Sequence, residues 1–266
     1  MTRRALLLAC LFALTATSVL AHDLFLRPDD FFLEPEGQVR VQVLNGNFES
    51  SEATVTFDRV TDFALLGPGG RSMPADHGWR SEGTTSTFTL RVGEPGTYLV
   101  GVSTAPRVLA LAAADFNDYL ESDGIPDVLE ARRRDGELEK DVREEYSKHV
   151  KAVVQAGEAR TGGLDRPLGH PAELVPLDNP YELGPGDALR VRALVDGRPV
   201  ANQLVLAGGR TPKGQRHEVQ SVRTDGEGVA EVRLSPGAWY VKFIHMVPAD
   251  STDYESKWAT LTFGVR

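Results

Sequence analysis

The chain reads RVGEPGTYLVGV at residues 91–102 and RLSPGAWYVKFI at residues 233–244. Each stretch has a turn with Pro-Gly, then an aromatic residue, then an apolar run of the length of a buried β-strand. A second pair lies upstream, where LEPEG at residues 33–37 and LGPGD at residues 183–187 lead into alternating apolar and polar residues. This weak internal repeat predicts two copies of one β-sandwich. The alternative is coincidental similarity between two unrelated β-domains.

Alternating polarity recurs along the chain, and a period of two is typical of half-buried strands. Examples are residues 39–43, 54–57, 88–92 and 189–192. Turn signals rich in Gly, Pro, Asn and Asp separate these strands. Many short strands with frequent turns predict a mainly β fold with two Ig-like antiparallel β-sandwich domains.

A short helical insertion interrupts this pattern. Residues 110–146 are rich in Ala, Leu, Glu and Arg, which predicts two or three short helices. Residues 157–167 have the Gly-rich composition of a linker. The predicted domains are a signal peptide at 1–21, an N-terminal β-sandwich at 22–166 with the helical insertion at about 110–146, and a C-terminal β-sandwich at 167–266.

The N-terminus has the parts of a secretory signal peptide. Two arginines give a positive start, residues 5–14 form a short apolar run, and Ala21 ends a tolerable cleavage site. The run is too short to span a bilayer, so we expect a periplasmic or secreted protein whose mature chain begins at His22. Cleavage would remove Cys10, the only cysteine, so the mature chain would have no thiol, disulfide or Cys-based metal site.

The chain is acidic, with 29 Lys and Arg against 38 Asp and Glu and a formal net charge of −9. Loss of the two signal-peptide arginines would leave 27 basic residues against the same 38 acidic ones, a net charge of −11. This charge disfavours nucleic acid and anionic membrane surfaces as partners. No apolar run in the predicted mature chain approaches membrane-spanning length.

Cleavage after Ala21 would expose the α-amine of His22. An N-terminal histidine offers two nitrogen donors on one residue, the amine and the imidazole, and both are available near neutral pH. These donors suit nickel, cobalt, copper and zinc, so His22 is a candidate metal ligand. The alternative is that His22 is only a permitted residue after the cleavage site.

A metal ion at His22 needs further ligands from elsewhere in the chain. His245 is the best candidate, because it lies near the end of an apolar strand, where side chains can point into a site. The alternative is a strand-end histidine with local hydrogen bonds. Asp253 and Glu255 lie in the following loop and offer carboxylate oxygens.

Other candidate residues carry weaker signals. His149 is a minor metal candidate, and Trp79, in a polar Gly-rich stretch, is the residue to check for stacking on carbohydrate. The sequence contains no HExxH, GxSxG or P-loop motif, and no carboxylate pair stands out by its spacing. These observations favour a binding protein over an enzyme.

Several stretches carry a family likeness: AHDLFLRP at 21–28, YSKHVKA at 146–152, PLGHPAELVPL at 167–177, NPY at 179–181, Trp239, HM at 245–246 and ESKWATLTF at 255–263. They resemble a family of periplasmic proteins described as nickel- or cobalt-uptake components or as domains of unknown function. The resemblance implies metal binding and a membrane metal-transport component as partner. His170 stands where the family pattern leads us to expect an apolar residue, so it receives no role.

The C-terminal half carries a second likeness. Its motifs are DGRPV at 196–200, TDGEG at 224–228 and PGAW at 236–239. Residues 187–246 thereby resemble the prealbumin-type β-sandwich module appended to some carboxypeptidases. The resemblance implies an Ig-like or prealbumin-like sandwich and says little about chemistry.

Two further functions stay open. Two sandwiches with a helical insertion suit a non-catalytic module that binds a cell-envelope partner or a glycan. A copper enzyme would use His22 in an N-terminal histidine brace, which requires a second histidine close by in space. His245 would have to fill that place.

Overall fold

The computed structural model describes residues 22–74 and 77–266. The predicted signal peptide, residues 1–21, lies outside the described residues. The fold is mainly β, with antiparallel sheets and two short helices, which confirms the predicted fold class. Among the helices of the described ranges, none is long and apolar enough to cross a membrane.

The strands and helices follow the alternation seen in the sequence. In the described part of the chain the strands are β1 (Asp23–Pro28), β2 (Phe32–Leu33), β3 (Gln38–Gly46), β4 (Ser51–Ala53), β5 (Val60–Gly67), β6 (Gly70–Ser72), β7 (Arg80–Glu82), β8 (Thr85–Arg91), β9 (Gly96–Thr104), β10 (Arg107–Leu111), β11 (Val142–Ala156), β12 (Ala172–Pro176), β13 (Ala188–Val195), β14 (Arg198–Pro199), β15 (Leu204–Arg210), β16 (Gln220–Arg223), β17 (Val229–Arg233), β18 (Gly237–Pro248) and β19 (Tyr254–Val265). The helices are α1 (Ala113–Ser122) and α2 (Pro126–Asp135), and a 3-10 turn spans Phe57–Arg59. The two repeated Pro-Gly stretches thus open β9 and β18.

The described residues form three sheets. The central sheet has the strand order β16-β15-β18-β19-β11-β9-β5-β6, with β10 and β2 also paired to β11. A five-stranded sheet contains β1, β3, β8 and β7 in that order, with β4 beside β3. A four-stranded sheet contains β12, β13 and β14, with β17 beside β13.

The smaller sheets pack on opposite faces of the central sheet. Val150 and Val154 of β11 belong to the core shared with the five-stranded sheet. Val153 belongs to the core shared with the four-stranded sheet. Successive side chains of a strand point to opposite faces, so β11 contributes to both cores.

One parallel pairing joins the two predicted halves. Residues 144–152 of β11 pair with residues 254–262 of β19. Strands from both sides of the predicted boundary at residues 166 and 167 therefore share the central sheet, and the boundary itself stays a prediction. Both strands are buried on their two faces, a pattern that does not specify which strand lies next to which.

The two helices lie inside the predicted helical insertion, but they fill only part of it. The end of strand β10, the start of β11 and the connecting loops occupy the rest of residues 110–146. Helix α2 begins at Pro126 and ends before Gly136, whose φ of 75° suits glycine. Phe116 and Tyr119 of α1 pack with Trp258 of the central sheet, which buries the apolar face of that helix.

Candidate functional site

The predicted mature N-terminus lies against the central sheet. His22 precedes β1, and its carbonyl accepts a hydrogen bond from the Lys148 ammonium of β11. The same ammonium donates to Asn45 Oδ1 of β3 at 2.8 Å. The His22 Nε2 atom lies 3.1 Å from Glu52 Oε2 on β4. His22 is therefore held at its backbone by a buried lysine and at its ring by an exposed glutamate.

Lys148 is buried between aromatic rings. Its ammonium lies 5.2 Å from the centre of the Trp258 ring and 5.3 Å from that of Tyr146. Burial lowers the pKa of Lys148 to about 8, and the nearby Asp23 carboxylate opposes this shift. Lys148 is therefore still mainly charged at neutral pH and can donate to the His22 carbonyl.

A buried ion-pair group lies beside this contact. Lys242 of β18 pairs with Asp23 of β1 and, at 3.2 Å, with Asp123 after α1. Burial opposes the charge on Lys242, but the two carboxylates outweigh it and raise its pKa. Burial also raises the pKa of Asp123. The group ties the start of β1 to the central sheet and to the helices, which is a structural role.

His245 lies on the other face of the central sheet from His22. Lys242 reaches Asp23 on the face that carries β1. His245 is three residues further along an unbroken register, so it points to the opposite face, where its Nδ1 lies 3.1 Å from Gln203 Oε1. The structure therefore does not bring His22 and His245 together, as a paired metal site or a histidine brace made from them would require. The alternation along a strand shows which of its own side chains share a face, but it does not show which residues of other strands lie on that face.

Asp253 and Glu255, the other predicted metal ligands, are held in ion pairs of their own. Asp253 accepts a hydrogen bond from Arg143 N at 2.8 Å, which with the Lys140 ammonium at 3.2 Å lowers its pKa. Glu255 lies 3.5 Å from the Lys257 ammonium. The partners found for these two carboxylates do not include His22.

Trp79 has a core role. Its ring stacks on Phe88 with centroids 5.5 Å apart and planes 7° apart, and its Nε1 donates to Val55 O at 3.0 Å. The ring is thus engaged on one face and at its polar edge. This arrangement does not support the expectation that Trp79 is an exposed platform for carbohydrate.

A second polar site is a cavity of about 510 Å³ on the face that carries His245. Its walls come from β5, β6, β9, β11 and β19, from Asp196, and from residues 168–171 of the segment that joins β11 to β12. This whole segment, residues 157–171, is called the linker below. Backbone pairing between β9 and β11 is confined to residues 153–156 of β11. Beyond this ladder the two strands are joined through the Thr104 side chain, whose Oγ1 donates to Lys148 O and accepts from Lys148 N, both at 3.1 Å. His149 lines the cavity beside this contact.

His149 is buried between two serine hydroxyls. Its Nδ1 lies 2.8 Å from Ser103 Oγ, and its Nε2 lies 3.0 Å from Ser147 Oγ. Burial lowers the pKa of His149 to about 3, because a charged imidazole loses its hydration there. His149, a minor candidate from sequence, is therefore a neutral imidazole inside the cavity.

His170 faces His149 across the cavity. The two ring centroids are 6.1 Å apart. The His170 Nε2 lies 2.9 Å from Asp62 Oδ2, and Arg71 binds the same carboxylate at 2.7 Å. Burial lowers the pKa of His170. Its Nδ1 is buried and has no hydrogen-bond partner among the described residues.

Glu173 anchors the loop that carries His170. It accepts hydrogen bonds from the backbone N–H groups of residues 168, 169 and 170 at 2.8, 2.6 and 2.8 Å. Its carboxylate also pairs with the buried Lys151 ammonium. Burial opposes ionisation, but Lys151 and these donors lower the pKa of Glu173. A charged glutamate thereby fixes the linker against β11.

Gly101 leaves room for the His170 ring. A Cβ at this position of β9 would lie 2.3 Å from Leu168 Cδ1 and 3.0 Å from His170 Cε1. Only glycine allows the linker to approach the sheet this closely. The cavity thus depends on a glycine that sequence reasoning did not single out.

Sequence reasoning also assigned no role to His170, Asp62 and Ser103. The signal that could have found them is the run PLGHPAEL, where a histidine interrupts apolar positions. His170 and Asp62 are 108 residues apart, so no local spacing links them. Within residues 22–74 and 77–266, no group of three or more His, Cys, Asp and Glu side chains is arranged to hold a metal ion.

Comparison with known proteins gives a family match. The matching family model is described as Domain of unknown function (DUF4198), and it covers residues 19–247. Comparison with curated proteins finds no match. A solved structure, native alpha-2-macroglobulin from Escherichia coli spanning domains MG0-NIE-MG1, matches with 11% identity and a TM-score of 0.20 over 90% of this chain and 69% of that chain. A TM-score this low supports no argument about the chain.

Proposed function

The chain belongs to this family of unknown function, and we propose that it is a periplasmic or secreted protein that binds a divalent transition-metal ion at His22. Removal of residues 1–21 would free the α-amine for binding. The observation that carries the proposal is the 3.1 Å contact between His22 Nε2 and Glu52. A metal-binding histidine usually donates its second ring N–H to a carboxylate, which fixes the tautomer and the orientation of the ring.

The two nitrogen donors belong to one residue. With Nε2 on Glu52, the His22 ring keeps Nδ1 for the metal, and Nδ1 and the α-amine can chelate one ion. Lys148 holds the His22 carbonyl and so restrains the chelating residue. The proposal requires the α-amine as a ligand. Among the described residues, the side chains that meet at this point are only those of His22 and Glu52, and they supply too few donors by themselves.

The choice of metal and partner rests on the sequence motifs. The likeness to nickel- and cobalt-uptake components supports nickel or cobalt as the ion and a membrane metal-transport component as the recipient. Copper and zinc favour the same nitrogen donors, so all four metals belong in the test. The prealbumin-type character of residues 187–246 is proposed on the same kind of evidence.

The test compares two N-termini. Untagged protein that begins at His22 is titrated calorimetrically with Ni²⁺, Co²⁺, Cu²⁺ and Zn²⁺, beside the same chain with one added N-terminal glycine. We expect the added residue to weaken binding at this site at least about tenfold, because the His22 nitrogen becomes an amide. Equal affinity of the two forms would rule out the N-terminal chelate.

Two substitutions test whether metal affinity depends on the contact between the His22 ring and Glu52, or only on the number of charges and histidines in the protein. Glu52→Gln keeps the side-chain volume and removes the carboxylate, and we expect affinity to fall about 10–100-fold. His245→Gln is the matched control, because His245 lies on the opposite face of the central sheet. It should leave affinity at His22 unchanged.

A further inference from the structure

We propose that His149 and His170 form a second, buried binding site for a transition-metal ion, in which His170 ligates through Nδ1 and Asp62 orients its ring. This site uses neither His22 nor the α-amine. It is therefore independent of the function proposed above.

The state of His170 supports the first ligand. Its Nε2 lies 2.9 Å from the Asp62 carboxylate, which accepts hydrogen bonds, so the ring proton is on Nε2. Nδ1 then carries a free lone pair, and it is buried with no hydrogen-bond partner in residues 22–74 and 77–266. A histidine with one nitrogen on a carboxylate and the other unpaired is the usual arrangement of a metal ligand with its orienting partner.

The position of His149 supports the second ligand. A metal lies about 2.0–2.1 Å from a ligating imidazole nitrogen, and so roughly 3 Å from the ring centroid. Two rings that share one metal can thus be separated by up to about 6 Å. The observed separation of 6.1 Å between His149 and His170 is at this limit. The partners of the His149 nitrogens are serine hydroxyls, which can rotate away from them.

The protonation state of the two rings suits metal binding. Burial lowers the pKa of both His149 and His170. A neutral imidazole keeps one N–H and one nitrogen with a free lone pair, and a metal ion binds through the latter nitrogen without displacing a proton.

The residues that line the cavity carry a net negative charge, which favours binding of a cation. Asp62, Asp196 and Glu255 outnumber Arg71 and Lys257, the two cations that line the same cavity. Lys257 is already paired with Asp196 at 2.8 Å and with Glu255 at 3.5 Å. The remaining negative charge favours a metal ion over an anionic ligand. Oxygen donors from water in the cavity would complete the coordination.

The two proposed sites can be counted separately. Purified protein that begins at His22 is loaded with Co²⁺ or Zn²⁺, and the bound metal is measured by elemental analysis after gel filtration. We expect two equivalents for the wild type and one for the chain with an added N-terminal glycine. His149→Gln and His170→Gln should each remove one equivalent from the wild type, whereas the control His245→Gln should keep both.

These counts distinguish failure of either proposal. If only the N-terminal site exists, the wild type binds one equivalent and neither cavity substitution changes it. If only the buried site exists, the wild type and the glycine-extended chain each bind one equivalent, and His170→Gln removes it. Folded His149→Gln and His170→Gln variants that keep the second equivalent would overturn the buried site.

A measurement on the wild type covers the case in which those variants do not fold. Imidazole ¹⁵N spectra are recorded with and without Zn²⁺, and we expect the Nδ1 signal of His170 to shift on binding. Asp62→Asn should lower affinity at the buried site about 10–100-fold while leaving the N-terminal site unchanged. Unchanged signals of both His149 and His170 at saturating Zn²⁺ would overturn the proposal.

Discussion

Lys148 and His149 are adjacent in β11, and their side chains leave the central sheet on opposite faces. Lys148 donates to the His22 carbonyl, whereas His149 lies 2.8 Å from Ser103 inside the cavity. One strand therefore supports both proposed sites, and the central sheet separates them. A substitution on one face can be compared directly with a substitution on the other.

Lys148→Met should destabilise the fold by about 1–3 kcal/mol, because the His22 carbonyl and Asn45 Oδ1 lose their donor. Urea unfolding of the chain that begins at His22 measures the change. Lys257→Met is the control, because Lys257 pairs with the exposed Asp196. We expect the control to lose less than about 1 kcal/mol. Equal losses in the two variants would contradict the special role of the buried ammonium.

Gly101→Ala should displace the linker from β9. The added Cβ would meet Leu168 Cδ1 at 2.3 Å, so we expect a loss of about 1–3 kcal/mol from overpacking. It should also weaken binding at the His149–His170 site. Gly162→Ala is the matched control in the same linker, because nothing lies within 4 Å of a Cβ there. Thermal unfolding and Co²⁺ titration of both variants provide the measurement, and the idea fails if Gly101→Ala behaves like Gly162→Ala.

Stability should decrease in acid through His149. Its pKa is lowered to about 3 by burial, whereas a free histidine titrates near pH 6.5. Between these pH values the unfolded chain binds a proton that the folded chain does not, so stability is lost as pH falls. We expect this residue to account for up to about 1.4 kcal/mol per pH unit in that window. Urea unfolding of wild type and His149→Gln between pH 7 and pH 4 should give curves that converge at low pH; parallel curves would argue against it.

Glu173→Gln should be among the more damaging single changes. It leaves the buried Lys151 ammonium without a counter-charge and weakens the acceptor for three linker N–H groups. We expect a loss of about 3–5 kcal/mol, as is typical when one partner of a buried ion pair is removed. Glu130→Gln, in an exposed helical pair with Arg133, should cost under about 0.5 kcal/mol. Similar unfolding midpoints in urea for the two variants would contradict this account.

Local patterns in the sequence predicted the elements well. The Pro-Gly stretches became β9 and β18, and the segment rich in Ala, Glu and Arg contains α1 and α2. These predictions succeed because a period of two and a helical composition each act over a few neighbouring residues. The pairing of β11 with β19 was not predictable in this way, because both strands are buried on two faces.

The candidate sites also have some features that the sequence predicts and others that only the tertiary structure shows. The sequence by itself determined that His22 would carry two nitrogen donors if residues 1–21 were removed, because that depends only on the order of residues along the chain. The tertiary structure alone decided that Glu52 is its neighbour and that His245 lies on the other face. It also brought His170 to Asp62 across 108 residues. Strand periodicity fixes only alternate faces, whereas neighbours between strands are chosen by long-range packing of the whole sheet.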